Sequence, residues 1–139
     1  MDEPLWITRD LAEAIHSEQL RAHGGRIGLR DENLLESALA RPRQRWAYEN
    51  DVDLADLAAA YGFGIAKNHP FIDGNKRSAL VALAVFLRMN GVRLTASEPE
   101  AVEVMLGVAS GELGEPELAV WCRDRASDDA SQRGAPVSD

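Results

Sequence analysis

The chain has one cysteine, Cys122, in 139 residues. No intramolecular disulfide can form, and no second thiol is present for a structural zinc site. A reducing, cytoplasmic setting is the expectation. Histidine is scarce too: the three residues His16, His23 and His69 form no His-Glu-x-x-His pair, which removes zinc hydrolase chemistry of that type. No Gly-Lys-Ser/Thr stands at P-loop spacing after a glycine. The longest apolar stretch, Ala79 to Leu87, falls well short of the roughly 18 residues that cross a bilayer. The opening Met1-Asp-Glu-Pro4 is acidic, and no secretory leader is expected from it. Excess positive charge is missing as well. Lys and Arg total 15 against 23 Asp and Glu, a formal net charge of −8. A surface that coats DNA or RNA needs clustered cations to displace counterions, so no direct nucleic-acid partner and no membrane partner are expected. One local anion site remains compatible with this balance.

What is present suits one soluble domain. A hydrophobic fraction of 45% with 27% charged residues is ordinary for a globular chain, and this length can bury a core without staples. Periodicity is helical throughout, with no long alternating segment, and predicts an all-α bundle. Thr8 caps a first helix carrying Leu11 and Ile15, ended by Gly24-Gly25. Asp31 caps a second, with Leu34, Leu35, Ala38 and Leu39 on one face, which Pro42 is expected to stop. Residues 41–53 then read as a surface loop or short hairpin. Asp53 caps a third helix in which Gly62 and Gly64 weaken the helix itself and point to a close helix contact. Asn75 to Met89 is apolar almost all round, the pattern of a buried helix, closed by Asn90-Gly91. Ser97-Glu-Pro-Glu100 reads as a capping box for a fifth helix, and a short sixth runs from Pro116 past Trp121 with Leu118, Trp121 and Cys122 inward. The domain is therefore set at residues 1–125. Residues 126–139, poor in large apolar side chains, are expected to form a disordered polar tail.

The chemistry concentrates in His69-Pro-Phe-Ile-Asp-Gly-Asn-Lys-Arg77, at the joint between the third helix and the apolar one. The first N–H groups of a helix lack internal partners and sit at the positive end of its dipole, so a phosphate is favoured there. Gly74 allows close backbone approach, Asn75 can donate from its amide, and Lys76 and Arg77 add full charges. His69 is the one side chain of the segment able to accept a proton near neutral pH. Asp73 can hold Mg²⁺ through one carboxylate while the metal keeps waters and nucleotide oxygens. A base, a metal carboxylate and an anion cradle together point to phosphoryl or nucleotidyl transfer.

The run HPFIDGNKR resembles the signature HxFx(D/E)GN(G/K)R of the Fic/Doc superfamily. It matches the Doc form, with Lys76 where Fic nucleotidyltransferases carry glycine and Leu80 where they carry a second arginine. Ile15-His16, Gly24-Gly25, Gly28-Leu-Arg-Asp31 and Leu34-Leu-Glu-Ser-Ala-Leu39 add to a likeness to death-on-curing toxins across roughly residues 5 to 122. The resemblance implies an all-helical fold with the motif loop leading into a central helix. It implies ATP and Mg²⁺ as the ligands, and His69 as the base that deprotonates a target hydroxyl. Asp73 becomes the metal or nucleophile-orienting carboxylate, and Gly74, Asn75, Lys76 and Arg77 the nucleotide cradle. In the Doc branch the γ-phosphate is transferred to a threonine of elongation factor Tu, translation stops, and a separate antitoxin restrains the toxin. Self-restraining Fic proteins carry Ser/Thr-x-x-x-Glu-Gly/Asn, a pattern not found here, so restraint is expected from another chain. Transfer of AMP and a non-catalytic binding role are the competing readings. Lys76 and Leu80 speak against the first; intact His69, Asp73, Asn75 and Arg77 speak against the second.

Other residues carry weaker signals. His16 reads as a satisfied structural histidine before a functional one, and His23 as exposed. Trp46 and Tyr48 fall where Fic folds place a flap over the site, with half-buried packing as the equal alternative. Arg41, Arg43 and Arg45 read as a solvated basic loop before a contact for an acidic partner, and Cys122 as a small buried hydrophobe.

Overall fold

Helix starts in this chain are set by side chains that accept from the first free backbone donors. The computed structural model, which describes residues 1–128, has Thr8 accepting from the Leu11 N–H at the head of α1 (Arg9–His23) and Asp31 accepting from Leu34 at the head of α2 (Glu32–Tyr48). Asp53 and Asp56 exchange reciprocal bonds at the head of α3 (Leu54–Asn68). Helix α4 (Asn75–Met89) starts at Gly74 with no side chain capping it. Ser97 caps α5 (Glu98–Ser110), and α6 (Glu115–Arg125) completes the helices among the described residues. The reciprocal half of the expected box at Ser97 does not form. Glu100 Oε2 accepts instead from Trp121 Nε1 at 2.8 Å and Arg125 Nε at 2.6 Å, tying α5 to α6.

The all-α expectation holds, and α4 follows the motif loop with Ala79, Ala82, Leu83, Phe86 and Leu87 buried. Helix α3 shares the centre and is the more completely enclosed, packed by α2, α4 and α6. Its small residues explain this. A Cβ at Gly62 would lie 2.9 Å from Leu83 Cδ1, and one at Gly64 would lie 3.3 Å from the Ala38 Cα. Neighbouring helices therefore approach α3 at distances that larger side chains forbid. Cys122 is fully buried on α6, and burial pushes its thiol up to about 12.

Three expectations need correction. Pro42 does not stop α2, which runs on to Tyr48 and leaves only a short connection before Asp53. A proline inside a helix costs about 3 kcal/mol relative to alanine, and tertiary contacts offset it here. Pro42 is itself buried, and Trp46 packs against the core. Second, the arginines of this stretch are not a solvated loop. Arg41 Nη2 and Arg45 Nη1 reach the two oxygens of buried Glu115 on α6 at 2.7 and 2.9 Å, and Arg43 stacks over Trp6 at 5.5 Å. Third, Ala126–Asp128, expected to open a disordered tail, forms strand β2, antiparallel to β1 (Val92–Leu94) with Val92 opposite Asp128. The remainder of the expected tail, 129–139, lies outside the described residues.

Asp53 also accepts from Arg123 of α6 at 2.9 and 3.1 Å, and this pairing holds its carboxyl down to about 2 from an ordinary 3.8. A carboxylate favoured in the folded chain adds stability above its unfolded pKa, and that stability is lost as pH falls through the folded value. The urea midpoint is therefore expected to fall between about pH 4 and pH 2. Arg123→Ala should flatten this part of the profile, as followed by circular dichroism.

Candidate active site

The joint between α3 and α4 is shaped first by where α3 stops. His69 takes a left-handed conformation, φ 51° and ψ 56°, unusual for a residue with a side chain. Arg30 holds it there. Its Nε donates to the His69 carbonyl and its Nη2 to the Asn68 carbonyl, both at 2.7 Å, which satisfies acceptors that the helix end leaves open. The chain around Arg30 runs alongside the motif. The N–H groups of Arg30 and Asp31 donate to the Pro70 carbonyl, Leu29 bridges Phe71, and the Ile72 N–H donates to Gly28.

The loop after His69 is held from inside. Asn75 is buried, its Oδ1 accepting from the Phe71 N–H and its Nδ2 donating to the Phe71 carbonyl, each at 2.9 Å. The amide expected to donate to a phosphate is thus engaged with the loop's own backbone, because Phe71 lies one turn back and presents both a donor and an acceptor. From α1, the ring of His16 stacks on that of Phe71, with centroids 3.8 Å apart and planes 6° from parallel, and its Nε2 lies 2.8 Å from the Asp73 carbonyl. A carbonyl only accepts, so Nε2 carries the proton. His16 was legible in sequence as a structural histidine. Its partner, 57 positions away, was not.

Asp73 sits exposed at the turn. Its Oδ1 accepts from the Gly74 N–H at 3.1 Å and its Oδ2 from the Arg26 N–H at 3.2 Å. Gly74 then adopts φ +77°, a conformation costly for a residue with a Cβ, and α4 begins. Its uncapped first turn opens onto a cavity of about 290 Å³ lined by Gly24 after α1, by Asp73, Gly74, Asn75, Lys76, Arg77 and Leu80 of the turn and α4, and by Val102, Met105 and Leu106 of α5. Five of the six sequence-derived site residues therefore share one cavity. His69 is exposed at the adjoining end of the loop and does not line it. Of the two equal readings for Trp46 and Tyr48, a flap or half-buried packing, the structure puts both on α2, with Trp46 half-buried against the core and Tyr48 86% exposed. The segment that runs alongside the motif is Gly28 to Asp31. The apolar wall from α5 also escaped sequence reasoning, which singled out neither Val102 nor Leu106.

The donor set matches what an anionic, phosphorylated ligand requires: free helix N–H groups, two cations and a carboxylate at the mouth. Among the described residues no group of three or more His, Cys, Asp or Glu could enclose a metal ion. A hard cation that retains its waters needs no such cage. One exposed carboxylate, each oxygen with a single backbone donor, suits it.

The profile of the Fic/DOC family matches residues 6–87, from ahead of α1 almost to the end of α4. The chain belongs to the Fic/DOC family. Among similar members, the protein kinase doc of Escherichia phage P1 is 37% identical over 106 residues, 76% of this chain and 83% of that protein. Toxin Doc of Mycolicibacterium smegmatis is 47% identical over 77 residues, 54% of this chain and 58% of that protein. The Fic/DOC match takes in the whole motif, together with α1 and the Gly28 to Asp31 segment that support it.

Replacing Asn75 by alanine would strand a buried donor and a buried acceptor of Phe71 at once. Asn75→Ala is expected to lower stability by about 2–3 kcal/mol. Thermal melting against wild type checks this, and an unchanged midpoint would show that the clasp is dispensable.

Proposed function

We propose that this chain is a Doc-like toxin that transfers the γ-phosphate of ATP to a hydroxyl of a protein, with elongation factor Tu as the first target to test and arrested translation as the outcome. The observation that carries this reading is the uncapped N-terminus of α4, opening with Lys76 and Arg77 into a cavity that has Asp73 at its mouth. The resemblance to a phage protein kinase and to a mycobacterial toxin supports it from a separate direction.

In this reading His69, exposed at the start of the loop, accepts the proton of the attacking hydroxyl. The hydroxyl oxygen bonds to the γ-phosphorus as the bond to the bridging oxygen breaks, and ADP leaves with the electron pair. The N–H groups of the first turn, with Lys76 and Arg77, stabilise charge on the phosphate oxygens. Asp73 would hold Mg²⁺, which when bound neutralises phosphate charge. Asn75 serves through the loop it clasps and through its backbone N–H. Leu80 lines the cavity, so its wall is apolar where the AMP-transferring branch carries a second arginine.

Labelled ATP separates the outcomes. Incubation with a purified target should move label from the γ position and none from the α position; an AMP adduct would overturn the kinase reading. His69→Ala is expected to lower transfer by at least about 100-fold and to relieve growth arrest on expression. Its melting temperature should be unchanged, since the side chain is exposed. Arrest equal to wild type would remove His69 from the reaction.

The same reading includes a cognate antitoxin as a partner. A small protein encoded next to this chain is expected to co-purify with it and restore growth. Failure of both neighbouring reading frames to do either would remove the toxin–antitoxin assignment while leaving the phosphotransfer test intact.

A further inference from the structure

His16 stands outside the motif, on α1, yet its imidazole touches the motif twice: ring to ring on Phe71 and Nε2–H to the Asp73 carbonyl. It is 95% buried, with 5% of its surface exposed, and it lies beneath the turn, since a Cβ on Gly74 would be 3.8 Å from its Cδ2 and Nε2. The Asp73 carbonyl and the Gly74 N–H belong to one rigid peptide plane. That N–H donates to Oδ1 of the Asp73 carboxylate. Whatever fixes the carbonyl therefore fixes the donor that orients the carboxylate. The other oxygen is held by the Arg26 N–H, on the loop that follows α1. Both constraints on Asp73 thus trace back to α1 and its exit.

We infer that His16 is a positioning residue of the active site: through the Asp73–Gly74 peptide plane it sets the direction of the Asp73 carboxylate, while its ring backs Phe71. The inference rests on the phosphotransfer reading for its kinetic consequence and not for its structural one. Asn75 clasps the Phe71 backbone and His16 covers the Phe71 ring, so the loop is held at three points by residues that do not face the cavity as reactants. A misplacement of about 1 Å at a reacting group can cost 100-fold in rate, and the hydrogen bond at 2.8 Å is what guards against it.

Two variants divide the ring from the donor. His16→Phe keeps a flat ring against Phe71 and loses the N–H; His16→Gln keeps an amide donor of similar reach and loses the ring. His16→Phe is expected to lower kcat by about ten- to 100-fold with the KM for ATP changed less than about threefold, because the cradle donors stay in place. His16→Gln should recover to within about fivefold of wild type. A His16→Phe enzyme within about twofold of wild type, or a folded His16→Gln as impaired as folded His16→Phe, overturns the inference.

Two further readouts need no turnover. In the wild-type chain, a long-range proton–nitrogen spectrum should show His16 protonated at Nε2, and a neutral ring protonated only at Nδ1 would overturn the inference without any variant. Exchange of the Gly74 amide should be about tenfold faster in His16→Phe and restored in His16→Gln; equal exchange in all three counts against it. If the wild-type chain transfers no phosphate, the phosphotransfer reading fails on its own, and these two measurements still decide the role of His16.

Discussion

The missing side chains at Gly62 and Gly64 are the constraint on which the structure depends. With α3 this thin, Leu83 of α4 and the Ala38 backbone of α2 come into contact with its axis from two sides, and α6 packs on it as well. Most of the buried positions of α3 are alanine or glycine, so its own large core side chains are few, Leu57, Tyr61 and Ile65, and its neighbours bring Leu35, Phe86, Leu87 and Leu118 against them. The close approach also fixes where α3 and α4 part. The joint between them is only the residues from His69 to Gly74, and a link that short between two tightly packed helices has little freedom. Its strained points, the left-handed His69 and the positive φ of Gly74, are where a chain leaving one helix turns into the next.

Charge is distributed to the same effect. In a chain of net charge −8, five arginines tie elements together: Arg41 and Arg45 to Glu115, Arg123 to Asp53 and Asp56, Arg125 to Glu100, and Arg9 to Glu32 and Glu36. Arg9 links α1 to α2, and the others fasten α6 to the rest. Lys76 and Arg77 have no acidic partner within ion-pair distance among the described residues. Cations left unpaired at a helix N-terminus raise the local potential toward anions even in an acidic protein.

What could be read in the sequence was local. The helix caps at Thr8, Asp31, Asp53 and Ser97, the glycine stop after α1 and the close-contact role of Gly62 and Gly64 each follow from a few neighbouring residues, and each appears in the structure. The motif was legible for the same reason, since its residues are consecutive. The misreadings arose where distant partners decide. Pro42 looks like a stop until α6 supplies Glu115 to the arginines on either side of it. Ala126–Asp128 looks like tail until Val92–Leu94 offers an edge to pair with. His16 and Arg30 hold the motif across 57 and 39 positions, a separation at which no spacing rule operates.

The burial of Cys122 gives the molecule a built-in clock. The only thiol of the chain lies on α6, fully enclosed, with its ionisation pushed to about 12 by that burial. A thiolate is the reactive form, so burial protects this thiol in the folded chain. Reaction is expected from the open states in which α6 comes away from the core. The rate at which a thiol reagent consumes the chain therefore follows the population of those states, with no label, tag or engineered residue required.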